Sequence, residues 1–312
     1  MISDLLSLAG GLALLVAAAH VLVRGAAALA LRLGLTPLVV GLTVVAFGTS
    51  APELVVSVQA ALADAGGIAV GNVVGSNIAN VGLVLGLAVL VRPLAADPSL
   101  FRRDLPTLLA VTALAAALLA DGQLGRAEGA VLVAGLAAYL VWSVRAARRE
   151  QAAVALPVTE PTGPAWRDVA FVVAGLAGLV IGADLFVGGA TNLAEAFGVS
   201  NAVIGLTVVA IGTSLPELAT TIVAALKGES DIAVGNVVGS NLFNLLGILG
   251  VAAVVRPLAA PGLQPADLAV MAVLAVALAG MLWTGRRLAR AEGAALAAAY
   301  VGYMGYLVLS HG

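Results

Sequence analysis

The sequence contains no cysteine, which excludes disulfides, thiolate nucleophiles and Cys-ligated metals and leaves the redox compartment undetermined. Charge is scarce as well: 10% of the 312 residues are Asp, Glu, Lys or Arg, against about 25% in a soluble domain. With 62% hydrophobic residues, a water-soluble chain of this length could not cover its surface. Lysine occurs once, at Lys227, and histidine only at His20 and His311. No H-E-x-x-H metal site exists, and a single lysine near a helix end makes a Ser-Lys dyad implausible. An intramembrane enzyme therefore lacks its inventory. The net charge of −2 supplies no basic footprint for nucleic acid. Only Asp4 is charged before Leu5, so the first apolar stretch has no basic n-region and reads as a retained span, not a cleaved signal.

What is present is apolar sequence in stretches of about 20 residues, the length that crosses a bilayer. Hydropathy predicts ten spans, near 3–33, 37–63, 68–91, 102–121 and 125–147, then 166–196, 200–227, 231–255, 263–284 and 289–310. A linker at 148–165, carrying Arg148, Arg149, Glu150, Glu160 and three prolines, separates the two sets. With both termini outside, twelve basic residues fall in inside loops and two, Arg126 and Arg256, fall outside. That positive-inside bias places the linker in the cytoplasm of an integral protein of the cell (inner) membrane.

Residues 41–80 match residues 205–244 without a gap, about two-thirds of the positions being identical, at a separation of 164 residues. Five spans per copy is an odd number, so the copies, 1–147 and 166–312, lie in opposite orientations. Inverted repeats mark secondary transporters, whose substrate site lies near the bilayer midplane between the copies. The predicted fold is all-α, ten transmembrane helices in two inverted five-helix repeats with discontinuous helices at the ion site.

Each copy carries two polar clusters. The first runs Gly48-Thr49-Ser50-Ala51-Pro52-Glu53, mirrored by Gly212-Thr213-Ser214-Leu215-Pro216-Glu217. No other charge lies between Arg32 and Asp64 or between Glu195 and Lys227, so each glutamate sits about 15 Å deep at 1.5 Å per residue. A carboxylate there costs at least a few kcal/mol unless it is paired, protonated or cation-bound. Pro52 and Pro216 interrupt the helical hydrogen bonds and are expected to free carbonyls around Ala46–Gly48 and Ala210–Gly212. Carbonyls, hydroxyls and a carboxylate make a hard oxygen site of the kind calcium and sodium prefer. The second cluster, Gly71 to Asn80, is mirrored by Gly235 to Asn244. Asn72, Ser76 and Asn80 share one helix face, while Gly71 and Gly75 are expected to admit a neighbouring helix.

These duplicated clusters resemble the alpha-repeats of the calcium/cation antiporter superfamily, most closely its prokaryotic sodium/calcium exchanger branch, over essentially the whole chain. The resemblance implies antiport of Ca2+ against Na+ with no cofactor, by a protein that works as a monomer in the lipid bilayer. It implies that Glu53 and Glu217 are shared ligands at the centre of four cation sites. Thr49, Ser50, Ser76, Thr213, Ser214 and Ser240, with the carbonyls of Ala46 and Ala210, would complete these sites, and Asn80 and Asn244 would flank the middle one. The first and sixth helices would slide across the rest to alternate access. Some relatives carry an aspartate at the position of Asn244, linked in potassium-dependent members to potassium transport, so Asn244 argues against potassium coupling. The short linker argues against the regulatory domains of animal exchangers.

Several readings stand side by side. Asn72, Asn77, Asn236 and Asn241 are equally ligands or interhelical hydrogen-bonding groups. His20 and Asp184, at equivalent positions of the first and sixth spans, are functional candidates as intramembrane ionisable groups, or polar groups facing a vestibule. Arg24 reads as a snorkelling side chain. Among functions, proton/calcium exchange is the alternative within antiport, because two carboxylates accept two protons as readily as one calcium. A cation channel is the rival outside it.

Overall fold

A computed structural model describes residues 2–153, 164–197 and 210–311. The middle of the linker, the start of the span at 200–227 and residues 205–209 of the second repeat motif lie outside them. The chain is helical: α1 (Ile2–Leu33), α2 (Pro37–Thr49), α3 (Ala51–Leu62), α4 (Gly66–Val91), α5 (Leu105–Leu118), α6 (Arg126–Ala153), α7 (Ala165–Ala196), α8 (Ala210–Thr213), α9 (Leu215–Lys227), α10 (Ser230–Val255), α11 (Pro265–Gly285) and α12 (Arg290–His311). Six helices among the described residues are long and apolar enough to cross a membrane, or seven if α2 and α3, bent by 47°, form one span.

The expectation of pure helix needs one amendment. Two short antiparallel ladders tie loops together, Leu94–Ala95 with Arg287–Leu288 and Gln123–Leu124 with Leu258–Ala259. Beside them, four arginines cap helix ends from the other half of the chain. Arg92 Nη1 donates to Leu226 O (3.0 Å) and Arg290 Nε to Leu90 O (3.2 Å). Arg126 Nε donates to Val254 O (3.2 Å), and Arg256 donates to Leu62 O (3.5 Å) and pairs with Asp64. Terminal helix carbonyls lack intrahelical donors and carry partial negative charge, which a guanidinium satisfies on both counts. Arg126 and Arg256, the two exceptions to the charge bias, thus have a structural use.

Helices α1 and α7 run antiparallel at backbone contact. A Cβ on Gly11 would lie 2.7 Å from Phe186 N, and one on Gly175 would lie 2.7 Å from Leu22 N. Small residues let two membrane helices approach this closely. Arg32 Nε joins the pair at one end through Asp168 Oδ2 (2.5 Å), and the Arg24 guanidinium sits over the Phe171 ring at 5.4 Å. The most buried elements are α4 and α10. Both contain a wide π turn, at Asn80–Leu85 and Phe243–Ile248, an irregularity frequent at functional sites.

Candidate cation site

Both Gly-Thr-Ser-x-Pro-Glu clusters break their helices at the serine. Ser50 adopts φ −84°, ψ 9° and Ser214 φ −87°, ψ 4°, outside the helical well. Pro52 and Pro216 then fall in the first turn of α3 and α9, where a missing N–H costs nothing. This corrects the expectation of a freed carbonyl at Ala46. Ala46 O accepts the Ser50 N–H (3.0 Å) in an ordinary helical bond, and the Thr49 hydroxyl lies 3.3 Å from it. For Ala210 the structure describes only the backbone, at the first residue of α8.

The breaks bring the two glutamates, each 1% exposed, into the core within electrostatic reach of one another. Ser50 Oγ donates to Glu217 Oε1 at 2.7 Å, a short charge-assisted bond that crosses from the first half of the chain to the second. Ser240 Oγ approaches the same oxygen at 3.5 Å. Thr49 Oγ1 donates to Asn236 Oδ1 (3.2 Å), and Asn80 Nδ2 to Asn241 Oδ1 (3.1 Å). Thr49, Ser50, Ser76, Asn80, Ser214, Ser240 and Asn244 are all buried, whereas Thr213 is half-buried.

Hydrogen bonding separates glue from open oxygens. Asn72 Nδ2 holds Glu53 O (3.1 Å) and Ser57 Oγ (2.9 Å); Asn236 Nδ2 holds Glu217 O (3.5 Å) and Thr221 Oγ1 (3.0 Å). These two amides clamp the glutamate-bearing helices to α4 and α10. Asn241 Nδ2 holds Asn77 O (3.4 Å), and Asn77 Nδ2 holds Val73 O (2.8 Å). Left buried without a partner among the described residues are Glu53 Oε2, Glu217 Oε2, Asn77 Oδ1, Asn80 Oδ1, Ser214 Oγ, Thr220 Oγ1 and both polar atoms of Asn244. Buried polar atoms are nearly always satisfied, so the oxygens of this set, though not the Asn244 amide nitrogen, fit a cation. No group of three or more His, Cys, Asp or Glu gathers among the described residues, so a coordination shell here draws on hydroxyl and amide oxygens besides the two carboxylates.

Sequence reasoning did not single out Ser57, Thr221 or Thr220. The first two stand four residues after Glu53 and Glu217 on the same helix face, and that spacing was the available signal. Close approach, expected at Gly71 and Gly75, occurs instead at their counterparts Gly235 and Gly239, where a Cβ would lie 2.8 Å from Leu38 O and 2.5 Å from Leu42 O. At Gly71 and Gly75 no atom comes within 4 Å of a Cβ. Of the paired ionisable positions, His20 is exposed, with Nδ1 2.9 Å from Val16 O. Asp184 is exposed at a cavity beside α8.

Comparison with known proteins agrees with this architecture. Residues 3–145 and 168–309 each match the family described as sodium/calcium exchanger protein. The chain is 41% identical to the inner membrane protein YrbG of Escherichia coli, over 88% of this chain and 86% of that protein. It is 32% identical to the sodium/calcium exchanger MaX1 of Methanosarcina acetivorans, over 94% and 95%. A solved structure of the sodium-calcium exchanger NCX_Mj superposes with a TM-score of 0.87 at 32% identity, covering 97% of this chain and 98% of that one. The chain is an integral membrane protein and belongs to the sodium/calcium exchanger family.

Proposed function

We propose that this protein exchanges Ca2+ for Na+ across the cell membrane by alternating access, with Glu53 and Glu217 as the shared ligands of both ions. The observation that carries the reading is the set of buried oxygens without protein partners around the two carboxylates. Thr49, Ser50, Ser76, Thr213, Ser214 and Ser240 supply hydroxyls, Ala46 and Ala210 supply carbonyls, and Asn80 and Asn244 flank the centre. A divalent ion offsets both carboxylates at once, whereas sodium must bind in larger number to do so. A cycle of three sodium ions against one calcium moves one net charge, so exchange is electrogenic. The neutral Asn244 makes it independent of potassium.

Ten spans in two inverted repeats, 1–147 and 166–312, frame this cycle. Both termini lie on the extracytoplasmic side, the 148–165 linker is cytoplasmic, and the protein works as a monomer. The glycine-lined contact of α1 with α7 suits a pair that slides as a unit past the clamped core. Ala46 O accepts the Ser50 N–H, so an ion bound there takes its second lone pair.

The test is calcium uptake into proteoliposomes under separately imposed sodium and pH gradients. Uptake driven by an outward sodium gradient and altered by membrane potential supports the reading. Uptake that ignores sodium and follows pH would establish proton/calcium exchange instead, and calcium passage without any counter-ion would establish a channel.

A further inference from the structure

Helix α7 lies across both breaks. A Cβ on Gly48 would meet Leu176 at 2.4 Å, and one on Gly212 would meet Val187 at 2.3 Å. Between those contacts a cavity of about 190 Å³ opens, lined by Pro52, Val180, Ala183, Asp184, Val187, Gly212 and Thr213. Two of its walls join the cation site: Pro52 precedes Glu53, and Thr213 is itself one of the proposed ligands. Asp184 is the single charged side chain in this lining. It is exposed and has no hydrogen-bond or ion-pair partner among the described residues.

An unpaired carboxylate twelve residues, about 18 Å, from the end of α7 is too costly to face hydrocarbon. Held ionised, it faces water or a cation. The equivalent position in α1 is His20, so only one of the two pseudo-equivalent helices presents a negative charge there. We propose that Asp184 is a cation-recruiting residue in a water-filled access path, leading to the oxygen site from the membrane face nearer the C-terminus of α7. This rests on the transport reading above for its purpose, and on that orientation the path opens to the extracytoplasmic side. A negative charge in a low-dielectric cleft raises the local concentration of cations and their rate of capture, an effect that salt screens.

The absence of cysteine permits a direct test. Single-cysteine variants Asp184→Cys and Val187→Cys are treated in intact proteoliposomes with a membrane-impermeant, positively charged methanethiosulfonate. Ile181→Cys, exposed on the same helix but outside the cavity lining, is the control. Labelling at 184 and 187 from one face only, with 181 unlabelled, is the expected result. No labelling at either cavity position, or equal labelling at 181, would overturn the access path. This readout does not depend on which ion is carried, so it fails separately from the transport reading.

Kinetics test the recruiting role. Asp184→Asn should raise the calcium KM about threefold at low ionic strength from that face alone, leave kcat unchanged, and lose its effect at high salt; Asp184→Glu should restore the KM. An unchanged KM, or an equal change from both faces, would overturn it.

Discussion

Ser50 and Ser214 occupy matched positions in the two clusters, yet their hydroxyls differ in the structure. Ser50 Oγ donates to Glu217 Oε1 at 2.7 Å, whereas Ser214 Oγ is buried without a partner among the described residues. Removing the first takes away a hydrogen bond to a charged group, a loss of roughly 1.5–3 kcal/mol. It leaves Glu217 Oε1 with only the long Ser240 contact at 3.5 Å. Removing the second deletes a hydroxyl that stabilises nothing in the ion-free protein. At about 2 °C per kcal/mol for a chain of this size, Ser50→Ala should lower the ion-free melting temperature by about 3–6 °C. Ser214→Ala should leave it unchanged or slightly raised. In calcium transport both should suffer, since each hydroxyl is a proposed ligand, with KM rising about tenfold for each 1.4 kcal/mol lost. The assays are thermal unfolding in detergent without calcium or sodium, and calcium flux in proteoliposomes. Equal melting shifts in the two variants would refute the assigned asymmetry. A Ser214→Ala variant with the parent's KM would refute the ligand role of the partnerless hydroxyl.

Other outcomes follow from the same geometry. Glu53→Gln or Glu217→Gln should abolish calcium exchange while the protein still purifies folded, because the amide keeps the shape and removes the charge a divalent ion needs; near-normal flux in either would sink the central reading. Asn244→Asp should make calcium transport fall more steeply on acidification than in the parent, because a third carboxylate beside two others favours proton binding; identical pH profiles would show that Asn244 does not face the site. Gly239→Ala should destabilise by about 1–3 kcal/mol, since its Cβ would meet the Leu42 backbone at 2.5 Å. Gly280→Ala, with open space around it, should stabilise by up to about 1 kcal/mol; a matching response in thermal unfolding would contradict the close packing of α10 on α2.

Much of the site is written in local sequence. The duplicated Gly-Thr-Ser-x-Pro-Glu motif, with no neighbouring charge, marks a buried carboxylate and a helix break, because proline and an unpaired acid are each costly inside an ordinary apolar helix. The hydropathy periods located helices such as α1, α7 and α11 to within a few residues, since length and apolarity are properties of the segment alone. Other features come only from elements meeting across the fold. Sequence placed the break in the Gly-Thr-Ser stretch before each proline, and the structure puts it at Ser50 and Ser214; that Ala46 O keeps the Ser50 N–H as its partner was not legible there. Asn72 and Asn80 share a helix face and look alike in sequence. Their different partners, Glu53 O and Asn241 Oδ1, exist because α3 passes one end of that face and α10 the other. The two arginines that break the charge bias, and Asp184 in the middle of α7, likewise acquire meaning only from what lies opposite them. A side chain's type and spacing are local properties, but whether its polar atom finds a partner depends on the packing of distant helices.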